Sequence, residues 1–551
     1  MKKFRVGFII DNLEPDKYII DLINFINQNE SFESPILITG YSQKNSEPLI
    51  KKFINNFRLN KVLKSIYLKI IFVIEKRIVS KKYQNKETSA EKITIDKFKI
   101  KKVVGKEYES DSFLEFTNDD LSLIANENLD CIIHCSSLNI KGEILDLTEF
   151  GVINAFHEDS FGFSEVLNGN PSSTFVIKKL GKELGNDDIL FSGSLMTSNI
   201  WLANNSQLIE KSNVFLMKIL DDLANNRRVH KSEGIKNTLS KSCNINSAST
   251  LLRYILKIIA PKILNSFISK LLSPNVIRYS VAFAHHDEHK KSLSSYKEIS
   301  NPKGRFLADP FVFEENDTNY IFVEDMFFKD NKGRISVIKI DGENYEFLGV
   351  VLEEDFHLSF PFIFRDGNDI YMIPESHENS DIRLYKCIEF PHEWRFEQTL
   401  MSGVSAADTM MIHKEDKWFM LTNICSLGLN DHQSELHIYY SDNLKSSSWS
   451  PIKSGNPVIF NSNKGRNGGL FYHKDKIYRI NQVHGQAHYG KSFDINEIIT
   501  LSKNEYKEVE CLKIHPDFKD EIISTHSFNA NSKIAVVDFA RHQRLRKALK
   551  M

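Results

Sequence analysis

Asp309, Glu324, Glu375 and Asp408 are the residues of this chain whose types and spacing could do chemistry. They lie in copies of one stretch. RFLADPFVFEENDTNYIFVEDM (Arg305–Met326) reads as an apolar run, a polar turn and a second apolar run. Related stretches follow at Ser359–His377, Ala407–Cys425 and Arg466–His484, with a shorter one at Ser524–His542. Laid together, the copies align Asp309, Phe360, Asp408, Asn467 and His526, at separations of 51, 48, 59 and 59 residues. Fifteen positions beyond the first four stand Glu324, Glu375, Asn423 and Gln482.

Strand pairs repeating about every fifty residues predict a propeller. In such a ring the innermost strands line one channel, so equivalent positions converge at its mouth. Carboxylates within apolar runs need a reason to be there. Two or three in one funnel supply what glycoside chemistry requires, a raised-pKa acid and an ionised base or nucleophile. On this reading Asp309, Glu375 and Asp408 are catalytic candidates, and Glu324, Arg466, Gln482 and His526 are substrate ligands. Arg466 offers forked donors to an anion or to sugar hydroxyls. The competing reading has the acids hydrogen-bonding neighbouring blades. HHDEH (His285–His289) reads as a polar blade edge, because alternate residues of a strand face opposite ways, and no metal site is expected. His484 and His488 read as exposed loop histidines, with a place lining the funnel as the alternative.

ADPF, the period and the acids resemble the five-bladed propeller of the family 43 glycosidase clan. That resemblance implies a first-blade Asp as general base, with a second Asp and a Glu acid. Asp309 matches the first, and Asp408 and Glu375 are the partners, in an order that departs from Asp, Asp, Glu. A closer resemblance covers about 277–542. RFLADPF, HLSFPF, MIPES, LYKCIEFPHEW, AADT, NPV, RNGG and YG are similar to the N-terminal domain of plant glucosamine inositolphosphorylceramide transferases.

Within Phe150–Met196, FGVINAFHEDSF and SSTFVIKKLGKELGNDDILFSGSLM resemble the formyltransferase family. This implies formyl transfer from formyl-tetrahydrofolate to an amine, often that of an amino sugar. An Asn would serve as oxyanion donor, a His as proton relay, and a downstream Asp would tune the site. Asn154 matches the Asn. The His position falls on Phe156, next to His157, and the Asp position on Gly185, near Asp187 and Asp188. A one-residue shift brings His157 and Asp159 into the site; a spent site that only binds sugar is the alternative.

The elements that must position these residues follow from the rest of the 551-residue chain, which is too long for one ordinary domain. Residues 1–200 alternate strands and helices, predicting a formyltransferase-like α/β domain with a Rossmann-like, largely parallel sheet. Its strands are expected at Phe4–Ile10, Pro35–Gly40, Leu129–Cys135, Gly151–Phe156 and Ser172–Leu180, with helices at Tyr18–Asn27 and, inserted, Val62–Tyr83. No GxGxxG follows the first strand, which argues against a dinucleotide. Residues 201–276 form a helical connector. Within it Thr250–Leu272 is apolar but carries Arg253, Lys257, Lys262, Lys270 and Pro261, which excludes a transmembrane helix. A link between domains is expected there, with contact to a membrane surface as the alternative. Residues 277–551 form the five-bladed propeller, and VIRYSVAFA (Val276–Ala284) supplies a strand to close the ring.

A net charge of −1, from 71 basic and 72 acidic residues, gives no global attraction to nucleic acid. Six scattered cysteines make no disulfide framework, and no small-residue cleavage site follows MKKFRVGFIID, so a cytoplasmic protein is expected. The expected partner is a sugar nucleotide or glycan. The function read from the sequence is a sugar-modifying transferase of bacterial surface-glycan biosynthesis. Glycosidase or glycosyltransferase chemistry in the funnel, or a non-catalytic glycan-binding scaffold, are its alternatives.

Overall fold

The computed structural model describes residues 2–11, 15–40, 59–78, 99–103, 106–108, 113–136, 139–155, 161–183, 186–227, 245, 247–271, 275–285, 293–426 and 431–544. The chain divides into two compact units, the first essentially residues 1–263 and the second essentially 264–551.

The first unit is built on a seven-stranded sheet. Its strands are β1 (Val6–Ile10), β2 (Ile36–Gly40), β3 (Lys99–Val103), β4 (Cys131–His134), β5 (Val152–Asn154), β6 (Ser172–Lys179) and β7 (Asp188–Met196), in the order β7-β6-β5-β4-β1-β2-β3. β1 pairs in parallel with β2 and β4, β2 with β3, and β4 with β5. The central strands β1 and β4 are apolar and buried at every residue, as strands covered on both faces must be. β6 differs. It joins β5 antiparallel, and its residues alternate between more and less buried along most of its length, the pattern of a strand covered on one face. The sheet is therefore mixed: largely parallel, as expected, with β6 antiparallel to β5, so it does not by itself show a formyltransferase-type sheet.

Among the described helices of this unit, α1 (Lys17–Gln28) buries Ile19, Leu22, Ile23 and Ile26 along one face. The others used below are α2 (Leu59–Ile78), α3 (Asn118–Ala125), α4 (Phe163–Asn168), α5 (Trp201–Ala224) and α6 (Ala248–Tyr254). α3 starts at a Thr117–Asp120 capping box, in which each side chain bonds the other's backbone N–H. Cys131 and Cys135 are buried and unbridged, as their apolar run predicted.

The second unit is a five-bladed propeller. Blades one to four are four-stranded meanders beginning at Arg305, Ser359, Ala406 and Asn467, the third with an extra short strand. The fifth combines strand Asn275–His285 with the last strand, Ile534–Arg544, in an antiparallel ladder eleven pairs long. This joins the start of the unit to its end and leaves no open edge in the ring. Aromatic pairs pack blade on blade, such as Phe311–Phe362 at 5.1 Å, Phe364–Trp418 at 5.4 Å and Phe471–Phe528 at 5.6 Å between ring centres. The innermost strands also bond directly. Val312 N–H donates to Asn529 Oδ1 at 2.9 Å, and Asn467 N–H to Asn423 Oδ1 at 2.8 Å.

Candidate functional site

The register of the blades places the repeated residues together at one level. Ala308 lies opposite Glu324, Ser359 opposite Glu375 and Ala407 opposite Asn423, while Gln482 N–H bonds Arg466 O. One residue later each innermost strand of blades one to three bulges, and the bulged residue takes the left-handed conformation: Asp309 (φ 47°), Phe360 (φ 44°) and Asp408 (φ 48°). For non-glycine residues this costs about 1–2 kcal/mol each. Strain repeated at one level of three blades marks a place where the backbone is aimed at something. In blade four the equivalent segment is Gly468-Gly469. A Cβ there would meet His526 O at 2.4 Å and Phe528 O at 2.0 Å, so only glycine lets blades four and five approach.

Two ionic clusters fill the funnel. In the first, Arg466 donates from Nε to Asp408 Oδ2 at 2.6 Å and from its second nitrogen to Asp408 Oδ1 at 3.2 Å and Glu375 Oε2 at 3.3 Å. Gln482 Nε2 adds a bond to Asp408 Oδ2 at 3.1 Å, and His377 Nδ1 lies 2.7 Å from Glu375 Oε1. Burial, then the facing Glu375 carboxylate, pushes Asp408 well up, even with Arg466 opposing. Burial also works to raise Glu375, but His377, Arg466 and a hydrogen bond from Asp408 outweigh it and hold Glu375 low. Of the coupled pair, Asp408 therefore holds a proton more tightly than Glu375.

In the second cluster His526 sits between two acids, with Nδ1 2.7 Å from Asp538 Oδ2 and Nε2 3.4 Å from Asp309 Oδ1. The shorter contact is close in distance but bent, so it is an ion pair more than a linear hydrogen bond. Asp538 is fixed by the His526 and Ser527 N–H groups, both at 3.0 Å, and by Ser527 Oγ at 2.8 Å. Burial opposes a charge on His526, but Asp538 and Asp309 outweigh it and push the imidazole up to about 9. Burial drives Asp309 up to about 7, with His526 pulling the other way and Glu324, Asp538 and Glu375 adding to the rise. Nearby, Glu324 Oε1 is 3.2 Å from His357 Nε2; burial works to lower that imidazole, but Glu324 prevails and carries it to about 9.

Aromatic rings join the two clusters. Tyr489 lies under the Arg466 guanidinium at 5.1 Å and beside the His526 ring at 5.4 Å, while Tyr279 packs on His526 at 4.6 Å. His484, stacked on Tyr489 at 5.3 Å, is 1% exposed, and burial holds its imidazole neutral. The expectation of an exposed loop histidine is thereby corrected: His484 takes a backbone bond from Gly490, which ties the loop inward. Below the clusters a void of about 10 Å³, roughly one water, is lined by Asp309, Phe360, Gly468 and Ser527 among others.

All the propeller candidates read from the sequence therefore lie in this funnel: Asp309, Glu324, Glu375, Asp408, Arg466, Gln482 and His526. Asp538, Tyr279, Tyr489, His357 and His377 belong to it too and were missed. Asp538 alone left a trace, an acid inside the apolar run IAVVDFA. Asn423 fits the alternative reading, since its amide bonds Glu435 O and Gly465 O between blades. Ligand atoms of Asp309, His526 and Asp538 lie within 4.8 Å of one another, a set that could hold a cation. Every described Asp538 oxygen already accepts bonds from blade five, so a cation there would compete with the blade's own donors. In the first unit, Asn154 ends β5 and is half-buried; His157 and Asp159 lie outside the described residues. His285 Nε2 meets Gly342 O at 2.8 Å, and the remainder of HHDEH lies outside them too.

Fold and funnel together define a five-bladed β-propeller with a buried, carboxylate-rich mouth. Residues 292–532 match the family model described as glucosamine inositolphosphorylceramide transferase 1, N-terminal. The chain is 37% identical over 211 residues to glucosamine inositolphosphorylceramide transferase 1 of Arabidopsis thaliana, covering 37% of this chain and 27% of that protein. It is 36% identical over 210 residues to the protein of the same name in Oryza sativa subsp. japonica, covering 37% and 28%. The chain thus spans just over a quarter of the length of these relatives. Solved structures similar to it include a family 117 glycoside hydrolase from Zobellia galactanivorans (11% identity, TM-score 0.32, 48% of this chain and 91% of that one). A GH43_1 enzyme from Xanthomonas citri is another (11%, TM-score 0.33, 44% and 89%). The relatives are named for a ceramide acceptor, a membrane lipid, which overturns the expectation of a cytoplasmic protein. Scattered cysteines argue against a disulfide framework without fixing a compartment.

Proposed function

We propose that the propeller funnel is a sugar site and that this chain works in sugar transfer to a glycan or glycolipid acceptor. The observation that carries this is Asp309: a buried carboxyl poised near neutrality, against His526 and near Tyr279 and Tyr489. Rings present flat faces to the C–H side of a sugar, and carboxylates accept from its hydroxyls. An acid titrating near pH 7 is suited to general-base work. Asp309 would take the proton of an acceptor hydroxyl while that oxygen bonds the anomeric carbon and the leaving group departs with its electron pair. The names of the plant relatives support a sugar and a ceramide-type acceptor as the substrate class.

Glycoside cleavage in the same funnel is favoured by one observation, the facing carboxyls Asp408 and Glu375 pushed in opposite directions, which suits Asp408 to donate a proton. For the finer reading of formyl transfer in bacterial surface-glycan assembly, Asn154 is the support among the described residues. The test screens the full chain against sugar nucleotides, those of amino sugars included, and against formyl-tetrahydrofolate, by thermal shift. Asp309→Asn is then assayed on whichever sugar stabilises the protein. The expected result is a loss of 10²-fold or more in kcat, the scale of a general base, with sugar binding retained. Unchanged turnover would take the chemistry out of the funnel.

A further inference from the structure

In the first unit α2 packs beside α6 and the π-turn Ile255–Ile259 that continues it. Their inner faces close on one core, made by Ile71, Leu251, Tyr254 and Ile259 with Phe163, Val166, Leu167 and Trp201. Glu75, the one acid in α2 and in 248–271, is turned into this core. It accepts from Tyr254 Oη at 2.5 Å and from the N–H groups of Trp201 and Leu202 in the first turn of α5.

What remains outside is apolar and basic. Ile66, Ile70 and Val73, spaced four and three apart, share one outer stripe of α2 and are 39–53% exposed. Leu252, Leu256 and Ile263 do the same for the second helix and are 41–63% exposed. Elsewhere among the described residues of this unit, the exposed large apolar side chains are Leu123 and Phe72, and Phe72 packs on Trp201 at 5.6 Å. Lys69, Lys76, Arg77, Arg253 and Lys257 are the exposed charges around the two stripes, Lys257 also donating to Leu167 O at 2.8 Å.

A protein surface seldom leaves two neighbouring rows of Ile, Leu and Val in water. One occupant suits both features. The apolar rows can enter the boundary between headgroups and acyl chains, and the basic residues can meet anionic headgroups. A second copy of the same face would set basic residues against basic residues. We propose that this helix pair docks the protein on an anionic membrane surface, lying in the interface and not crossing it. None of the described helices is long and apolar enough to cross.

The test is co-sedimentation of the full chain with phosphatidylcholine vesicles, with and without phosphatidylglycerol. Binding is expected to need phosphatidylglycerol and to weaken with salt. Ile70→Glu with Leu256→Glu should reduce it at least tenfold, and Lys69→Glu on the order of five-fold or more. Ile70→Ser with Leu256→Ser, gentler to folding, should give an intermediate loss with an unchanged melting temperature. Wild-type protein left in the supernatant with phosphatidylglycerol vesicles overturns the proposal, as does binding that the apolar variants leave intact. A shift from dimer to monomer in these variants, without vesicle binding by the wild type, assigns the face to a second copy and also overturns it.

Discussion

The two sides of the propeller funnel bury negative charge in opposite ways. Toward blade four, Asp408 and Glu375 face Arg466, whose guanidinium keeps its charge at every pH at which the protein could work. Toward blade five, Asp309 and Asp538 face His526, whose charge depends on a proton it can lose. The first arrangement is permanent, so it can fix blades and orient a ligand. The second changes state within the range of ordinary solutions, and that is the side where Asp309 stands near neutrality. In the transfer reaction proposed above, positioning would fall to the arginine side and proton handling to the histidine side.

The largest effect should come from breaking the permanent side. Arg466→Met leaves two buried carboxyl groups without their cation, a change that typically costs about 3–5 kcal/mol. Urea unfolding measures it. Adding Asp408→Asn should restore part of the loss, because the two changes share one interaction. A cost below about 1 kcal/mol would show the arginine side to be solvated and would end the contrast.

The histidine side should reveal itself in pH dependence. His526 rises from 6.5 to about 9 on folding, so its contribution is complete below about pH 6.5 and is lost as pH rises through 9. By linkage that is on the order of 3 kcal/mol. His357, paired with Glu324, acts in the same window and the same direction. Asp309 rises from 3.8 to about 7, so ionising it between those values also weakens the fold as pH increases. Stability to urea should therefore fall from neutral pH to about pH 9. The slope should be shallower in His526→Gln and retained in Arg466→Met. A flat wild-type profile would remove the distinction between the two sides.

The contrast also explains what could be read in advance. The period that aligned Asp309, Phe360 and Asp408 is enforced by strand pairing, so the first three copies carry the same bulge at the same level. Repetition made the fold and one wall of the funnel legible. Counter-ions follow no repeat. His357 and Asp538 each answer a charge on another strand or blade, and nothing in their local sequence says which partner they will meet; His377 answers Glu375 two residues before it, a pairing that no repeat marks. Tyr279 was hidden for the same reason, since it comes from the strand that closes the ring, more than two hundred residues before the His526 it covers. In the first unit five of the seven strands of the main sheet were legible from their apolar runs, whereas β3, β7 and the direction of β6 were not; an alternating strand such as β6 fits its neighbour either way.

The smallest effect sharpens the comparison most. Gln482 Nε2 donates to Asp408 Oδ2 and to Asn467 O at 2.8 Å, while its Oε1 is buried and meets no partner among the described residues. Gln482→Leu loses two bonds but also an unpaired acceptor, so the cost should sit near 1 kcal/mol. Its trace against pH should run parallel to that of the wild type, because Arg466 still balances the charge of the Asp408–Glu375 pair. Ser527→Ala is the counterpart on the other side. It removes a single 2.8 Å bond to Asp538 at a similar cost, and the carboxylate it leaves less satisfied should hold the proton of His526 more tightly. Its loss of stability should then extend to higher pH than in the wild type. Two substitutions of similar cost, one on each side, are expected to differ in how their effects vary with pH more than in how large they are. Parallel traces for both would mean that Asp538 does not set the charge of His526.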